Sequence, residues 1–140
     1  MIDQSLRALW SARSIAVVGA SDRDGAISKL PITYLQKYGY AGEIFPINPK
    51  GGTISGIKAF TSLSEVGRPI DLALIIVPVR SVISAIKDCA ESGVRVATVM
   101  GSGFAESGDE GRALQDEILD IAKTAGMRIV GPNCIGSIGG

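Results

Sequence analysis

The chain of 140 residues contains no histidine. Histidine is the commonest general base and the commonest metal ligand, so its absence excludes a histidine-based catalytic centre and a phosphohistidine carrier within this sequence. Cysteine is almost as scarce. Cys89 and Cys134 lie in no CxxC or Cys/His pattern, which argues against a disulfide framework and a thiolate metal site. We expect two free thiols in a reducing compartment.

Long apolar runs and an excess of charge of either sign are also missing. No stretch approaches the roughly 20 apolar residues of a membrane helix, and the start MIDQSLRALW does not have the order of a signal peptide. The 14 basic and 14 acidic residues cancel, so no overall field favours nucleic acid or an anionic membrane. We predict a soluble, cytoplasmic protein that binds neither and holds any anion by local groups.

Apolar residues are plentiful, at 46% of the chain, and predict the core of one domain over residues 1–140. Short β-branched runs at 14–20, 43–49, 71–79, 94–100 and 127–132 alternate with segments of helical periodicity at 4–12, 31–38, 81–92 and 109–125. Apolar strands without polar alternation are typical of parallel sheets covered on both faces. The sequence predicts an α/β fold, a Rossmann-like, doubly wound, mainly parallel five-stranded sheet with helices on both faces.

Two local patterns give finer expectations for the helices. Ser107 and Glu110 have the spacing of a capping box at the start of the last helix. A helix is predicted after the first strand, since apolar residues recur near helical spacing at Ile27, Leu30, Tyr34, Leu35 and Tyr38, and Pro31 indicates that the regular helix starts there.

Ligands of such folds collect beyond the carboxyl ends of the strands, so the loops there carry the functional expectations. The first loop, GASDRDG, has Gly19 for a tight turn and Ser21 as a hydroxyl donor. It fits either a phosphate-binding turn or a plain strand-to-helix loop of small residues. It is not the dinucleotide fingerprint GxGxxG, because Ala20 and Ser21 follow Gly19.

The second loop offers Asn48 and Lys50 where an NAD-binding domain carries an acidic residue. Lysine there favours a phosphorylated ribose, as in NADP or coenzyme A, unless it is simply a solvated surface residue. After the third strand, Val77, Pro78 and Val79 form either an apolar wall for a ligand or a rigid turn. Arg80 is either a phosphate contact or a solvent-facing side chain.

The last two loops are GSGFAESG and GPNCIG. In the first, the backbone amides and Ser102 are candidates to hold an anion or an acyl carbonyl, and Phe104 is expected in the core. Glu106 is more easily explained as an acidic residue at a helix entry than as a base. In the second, Asn133 and Cys134 lie at the pocket mouth. We expect Cys134 to be structural, because no histidine is present to activate it.

Taken together, the five loops resemble the N-terminal coenzyme A (CoA)-binding domain of nucleoside-diphosphate-forming acyl-CoA synthetases, which are related to the succinyl-CoA synthetase α subunit. The resemblance runs over nearly the whole chain. It rests on SIAVVGAS, GYAGEIFPINPK, GIKAFTSLSEV, DLALIIVP, SGFAESGDEG and GMRIVGPNCIG, in that order. The combination of VGAS, PINPK and GPNC is far more specific than any one of these motifs.

The resemblance implies CoA as the ligand and assigns roles along the loops. The CoA phosphates would lie at the turn formed by Gly19, Ala20, Ser21, Asp22 and Arg23. Asn48 and Lys50 would hold the adenosine end, and residues 77–79 would flank the nucleotide. Ser102, Gly103 and Asn133 would lie near the thiol. In this family, the phosphorylated histidine and the ATP-grasp fold belong to other domains, so this chain is expected to be catalytically incomplete and to be one part of a larger protein.

Two other functions fit the residues less well. A related CoA-binding domain is fused to protein acetyltransferases, where it senses CoA or acyl-CoA without chemistry of its own. An NADP-dependent oxidoreductase would need the missing GxGxxG and a substrate domain. The sequence therefore predicts part of an ADP- or GDP-forming acyl-CoA ligase, with a CoA sensor as the first alternative.

Overall fold

The computed structural model describes residues 3–132, which form a parallel five-stranded sheet between two layers of helices. Its strands are β1 (Ser14–Val18), β2 (Glu43–Ile47), β5 (Leu72–Ile75), β6 (Val96–Val99) and β7 (Arg128–Val130), in the spatial order β2-β1-β5-β6-β7. All four strand pairings are parallel. The predicted Rossmann-like fold is confirmed.

Five helices and a small hairpin connect these strands. The helices are α1 (Gln4–Trp10), α2 (Leu30–Lys37), α3 (Leu63–Val66), α4 (Val82–Glu91) and α5 (Asp109–Ala125). The hairpin pairs β3 (Thr53–Ile54) with β4 (Ile57–Lys58) in antiparallel fashion. Short 3₁₀ turns at residues 27–29, 79–81 and 105–107 precede α2, α4 and α5.

Each face of the sheet packs against its own helices, because the strands are apolar on both sides. One core joins alternate strand residues such as Ala16, Ala73 and Ala97 to Ile86 of α4 and Ile118 of α5. The other core contains the alternating residues of the opposite face, such as Val17 and Val96. They pack with Ala8 of α1 and Ile32 of α2. Small residues at the centre of the sheet let both helical layers approach closely.

The helix predicted after the first strand is confirmed as α2, but most of the apolar residues that indicated it are exposed. Ile27 and Tyr38 are 69% and 75% exposed, and Leu30 and Tyr34 are also exposed, whereas Ile32 is fully buried and Leu35 is half-buried. The sheet-facing side of the helix therefore runs through Ile32 and Leu35. Spacing alone does not fix this phase, because apolar residues lie on both sides of the helix.

The predicted capping box at α5 is also wrong. Ser107 is the last residue of the preceding 3₁₀ turn, and Gly108 takes the cap position with a φ of 110°. Because Gly108 holds the cap position, Ser107 lies one residue too early to form a capping box with Glu110. No side chain caps the helix. The bounds predicted for α5 itself, 109–125, are confirmed.

The strands are shorter than predicted, since only the residues that form ladder hydrogen bonds belong to them; the third run, 71–79, gives a strand of four residues. The β3–β4 hairpin and α3 were not predicted, because elements of two to four residues carry no periodic signal. Within the described residues, no helix is long and apolar enough to cross a bilayer.

Candidate functional site

The loops after β1 and β2 are joined at the carboxyl edge of the sheet. The backbone N–H groups of Gly19 and Ala20 both donate to the Ile47 carbonyl, over 3.1 and 3.2 Å. The side-chain amide of Asn48 donates to the Ala20 carbonyl over 2.9 Å, and its oxygen accepts from the Lys50 N–H over 2.8 Å. Asn48 therefore shapes both predicted loops at once, and Lys50 follows directly in an exposed position.

The first loop also lies against the loop that follows β5. Gly19 has a φ of 89°, and a Cβ atom there would lie 2.1 Å from the Ile76 carbonyl oxygen and 2.9 Å from the Val77 side chain. Only glycine fits both that backbone conformation and that contact. The close approach at Gly19 is made to the protein's own backbone, and it brings the start of the first loop next to Val77.

The loop after β6 lies beside the loop after β5 at the carboxyl edge. A Cβ atom at Gly103 would lie 3.1 Å from the Val79 side chain, so the third and fourth loops are also in contact. Phe104 is fully buried, as expected. Val77 is half-buried, whereas Pro78, Val79 and Ser102 are exposed. The segment 77–79 thus presents apolar surface at the centre of the edge.

Three cations stand along this edge with exposed side chains: Arg23, Lys50 and Arg80. None of their side chains forms an ion pair or hydrogen bond with another residue of the described range 3–132. They lie in the loops that follow three different strands, β1, β2 and β5. This arrangement suits a ligand with several separated phosphate groups.

Backbone donors are available in the first loop. The N–H groups of Ser21, Asp22, Asp24 and Gly25 have no acceptor among residues 3–132, while the Arg23 N–H donates to the Ser21 hydroxyl over 3.1 Å. Successive unpaired amides in a turn form a concave donor site for anions. The chemistry of the first loop therefore fits a phosphate.

The carboxylates that would repel an anion here are engaged by donors of the protein. Asp22 accepts hydrogen bonds from the backbone N–H and the hydroxyl of Ser55. Glu106 accepts from the N–H groups of Gly103 and Phe104 over 2.7 and 3.2 Å. These backbone hydrogen bonds, together with that of its own amide, lower the pKa of Glu106. Glu106 is thus an ionised brace of the fourth loop, and the Gly103 amide is already occupied.

Some of the contacts at this edge could not be read from the sequence. Ser55 and the hairpin that carries it approach Asp22 across 33 residues of chain. The only sequence signal was a turn-like Ser-Gly pair at 55–56. Asn133 and Cys134, predicted at the pocket mouth, lie outside the described residues. Cys89 is buried in α4, and desolvation raises its thiol pKa to about 12, so it is an inert core residue.

A groove of about 780 Å³ lies at the opposite, amino edge of the sheet, between α1, α5 and the start of β7. It is lined by Arg95 and Arg128, whose guanidinium groups face the carboxylates of Asp71 at 3.8 Å and Asp3 at 2.7 Å. Volume alone therefore does not identify the site, because ligands of parallel sheets bind at the carboxyl ends.

A profile described as the CoA-binding domain matches residues 13–139, which is nearly the whole chain. The chain belongs to the CoA-binding domain family. The predicted family is thereby confirmed, and so is CoA as its ligand at the level of the family. The loops described above form the carboxyl edge of this CoA-binding domain.

Relatives of this CoA-binding domain are much longer proteins. It is 38% identical over 138 residues to subunit alpha of an ADP-forming acetate–CoA ligase of Pyrococcus furiosus, covering 96% of this chain and 30% of that subunit. It is 37% identical to a trans-feruloyl-CoA synthase from an unidentified prokaryote, covering 96% of this chain and 19% of that protein. This chain thus spans less than a third of either relative.

A solved structure supports the fold at similar identity. Acetyl-coenzyme A synthetase 1 of Candidatus Korarchaeum cryptofilum, in complex with phosphate and ADP, superimposes with a TM-score of 0.90 and 37% identity. The match covers 96% of this chain and 28% of that one. The CoA-binding domain therefore keeps the architecture found in a much larger synthetase.

Proposed function

We propose that this domain binds CoA at the carboxyl edge of its sheet and presents the thiol to the catalytic groups of an ADP-forming acyl-CoA ligase. The observation that carries the proposal is the family match over residues 13–139, which spans all four described loops of that edge. The relatives that share at least a third of its residues are acyl-CoA ligases and synthases, which favours this reading over a CoA sensor.

The phosphates of CoA match the donors of the edge. The pyrophosphate would lie at the free amides of the first loop, with Arg23 beside it. Lys50 would contact the 3′-phosphate of the ribose from the second loop, and Arg80 stands on the other side of the segment 77–79. Charge-assisted hydrogen bonds of this kind each contribute roughly 1.5–3 kcal/mol. Ser21 would add a hydroxyl, although its oxygen already accepts from the Arg23 N–H.

The apolar parts of CoA would follow the centre of the edge. Val77, Pro78 and Val79 offer an apolar surface for the adenine ring or the start of the pantetheine arm. The thiol would then lie toward Ser102 and Gly103, and toward Asn133 as the resemblance implies. Asn48 would act by holding the first two loops together as well as by any direct contact.

The remaining chemistry of the ligase would come from outside residues 1–140. The chain has no histidine, so the phosphohistidine and the nucleotide-binding groups that the family resemblance implies must lie elsewhere, in the same polypeptide or in a partner. We place this ligase in the cytoplasm, in keeping with the buried free thiol of Cys89. The acyl group is left open, since the relatives use acetate and ferulate.

The direct test is calorimetric titration of the chain with CoA, 3′-dephospho-CoA and NADP, repeated with Lys50→Ala. Loss of one charge-assisted contact predicts CoA binding about tenfold weaker, with a much smaller loss for dephospho-CoA. Lys123→Ala serves as the control, because Lys123 is exposed at the amino edge. Tight binding of NADP without binding of CoA would overturn the proposal, and an equal loss for both CoA forms would remove Lys50 from the 3′-phosphate.

A further inference from the structure

The β3–β4 hairpin reaches across the carboxyl edge to the first loop. At its turn, the backbone N–H of Ser55 donates to Asp22 Oδ1 over 2.9 Å, and the Ser55 hydroxyl lies 3.3 Å from the same oxygen. Ser55 adopts a φ of 49°, the only positive φ of a non-glycine residue within the described range 3–132. A residue in this conformation is held there by its surroundings.

The hairpin side of this contact is anchored to the core. The side-chain amide of Gln36 on α2 donates to the Ser55 carbonyl over 2.9 Å. Ile54 is buried in the same core as Ile32 of α2. Phe60, just beyond the hairpin, continues the sheet by bridging to Ile47. The position of Ser55 is therefore set by α2 and the sheet before any ligand arrives.

The loop side of the contact has little other support. Asp22 is exposed, and apart from Ser55 its contact is the Lys29 ammonium group, which donates to the Asp22 carbonyl over 3.3 Å. Four amides of residues 21–25 have no acceptor in the described residues, so few backbone bonds hold the shape of this loop. A loop of this kind opens easily unless a side chain fixes it.

We propose that Asp22 and Ser55 form a positioning pair that holds the first loop ready for phosphate and turns the Asp22 carboxylate away from the incoming anion. The proposal rests on the proposed function for its ligand. It assigns Asp22 a role through Ser55, in which its carboxylate makes no contact with the ligand. The pair adds preorganisation, which improves affinity by lowering the ordering cost of binding.

Three variants separate positioning from charge. Asp22→Ala removes the acceptor. Asp22→Asn keeps an oxygen at the same place but loses the charge, and Asp24→Ala is the control because Asp24 is a fully exposed acid of the same loop, 3.7 Å from Lys29 and without contact to the hairpin. Hydrogen exchange of the ligand-free chain is measured first, followed by titration with CoA.

The positioning pair predicts at least a tenfold faster exchange of the hydrogen-bonded amides of Ser55 and Arg23 in Asp22→Ala, with the helices unchanged, and CoA binding about tenfold weaker. Asp22→Asn and Asp24→Ala should exchange like the wild type and bind CoA at least as well. Unchanged exchange in Asp22→Ala would overturn the pair, as would Asp22→Asn binding as weakly as Asp22→Ala. Exchange is read without ligand, so the pair is decided even if the wild type fails to bind CoA and the proposed function falls.

Discussion

The two edges of the sheet differ in how their carboxylates are used. At the amino edge, Asp3 and Asp71 accept backbone hydrogen bonds and also face arginine guanidinium groups, and Glu43 pairs with Arg68. At the carboxyl edge, Asp22 and Glu106 accept hydrogen bonds from donors of the loops and form no ion pair with another described residue. Carboxylates bonded in this way brace a loop and leave neighbouring cations free. The groove of about 780 Å³ lies at the amino edge. The cations and amides without partners among residues 3–132, which suit an anionic ligand, lie at the carboxyl edge.

The largest expected effect comes from the contact between the first and third loops. Gly19→Ala would force a Cβ atom against the Ile76 carbonyl, so we expect a loss of stability on the order of 3 kcal/mol or more and loss of CoA binding. Gly25→Ala is the matched control, since Gly25 has a φ of 77° but open space around its Cβ position. Urea unfolding and calorimetry measure both. Equal effects of the two substitutions would show that the contact with Ile76 is unimportant.

The charges of the two edges should separate binding from stability. Arg23→Ala should weaken CoA binding about tenfold and lower the salt dependence of binding, with little change in stability. Arg128→Ala removes an exposed ion pair with Asp3 at the amino edge, so it should cost about 0.5 kcal/mol of stability and leave CoA binding unchanged. Titrations at two salt concentrations, together with thermal unfolding, compare the two variants. A loss of CoA affinity in Arg128→Ala but not in Arg23→Ala would place CoA at the amino edge and contradict the proposed site.

A smaller effect is expected at the brace of the fourth loop, and it should depend on pH. The backbone hydrogen bonds hold the pKa of Glu106 below its ordinary value, so the ionised group stabilises the folded state above that ordinary value. The contribution is lost as the pH falls through the lowered pKa, where the folded protein takes up the proton. Glu106→Gln should therefore lower Tm slightly at pH 7 and progressively less toward acidic pH. A difference in Tm that is constant with pH would contradict this role, and Glu117→Gln on the exposed side of α5 is the control.

The long elements of the fold could be predicted because their residues carry a periodic signal. Helix α5 has its predicted bounds, and the five apolar runs became the five parallel strands. Which side of α2 packs against the sheet could not be predicted, because the exposed Ile27 and Leu30 are as apolar as the buried Ile32. The choice depends on how the whole helix docks.

The sequence was sufficient to predict which loops form the candidate site. Parallel strands place their carboxyl ends at one edge, so the positions of Gly19, Lys50 and residues 77–79 followed from the order of the elements. The contacts that shape those loops did not follow. Asp22 meets Ser55 through a hairpin of two-residue strands, and Glu106 folds back onto the amides of its own loop. Such hydrogen bonds depend on atomic positions that no spacing rule specifies.

The most direct test of the central claim is an NMR titration of the ¹⁵N-labelled chain with CoA. Binding at the carboxyl edge predicts that the shifted amides cluster in residues 19–25, 48–52, 76–80 and 101–104. The chemical shifts of the amides of residues 93–95 and 126–128, beside the groove at the amino edge, should remain unchanged. Shifts that cluster at the amino edge, with the four loops unaffected, would contradict the account.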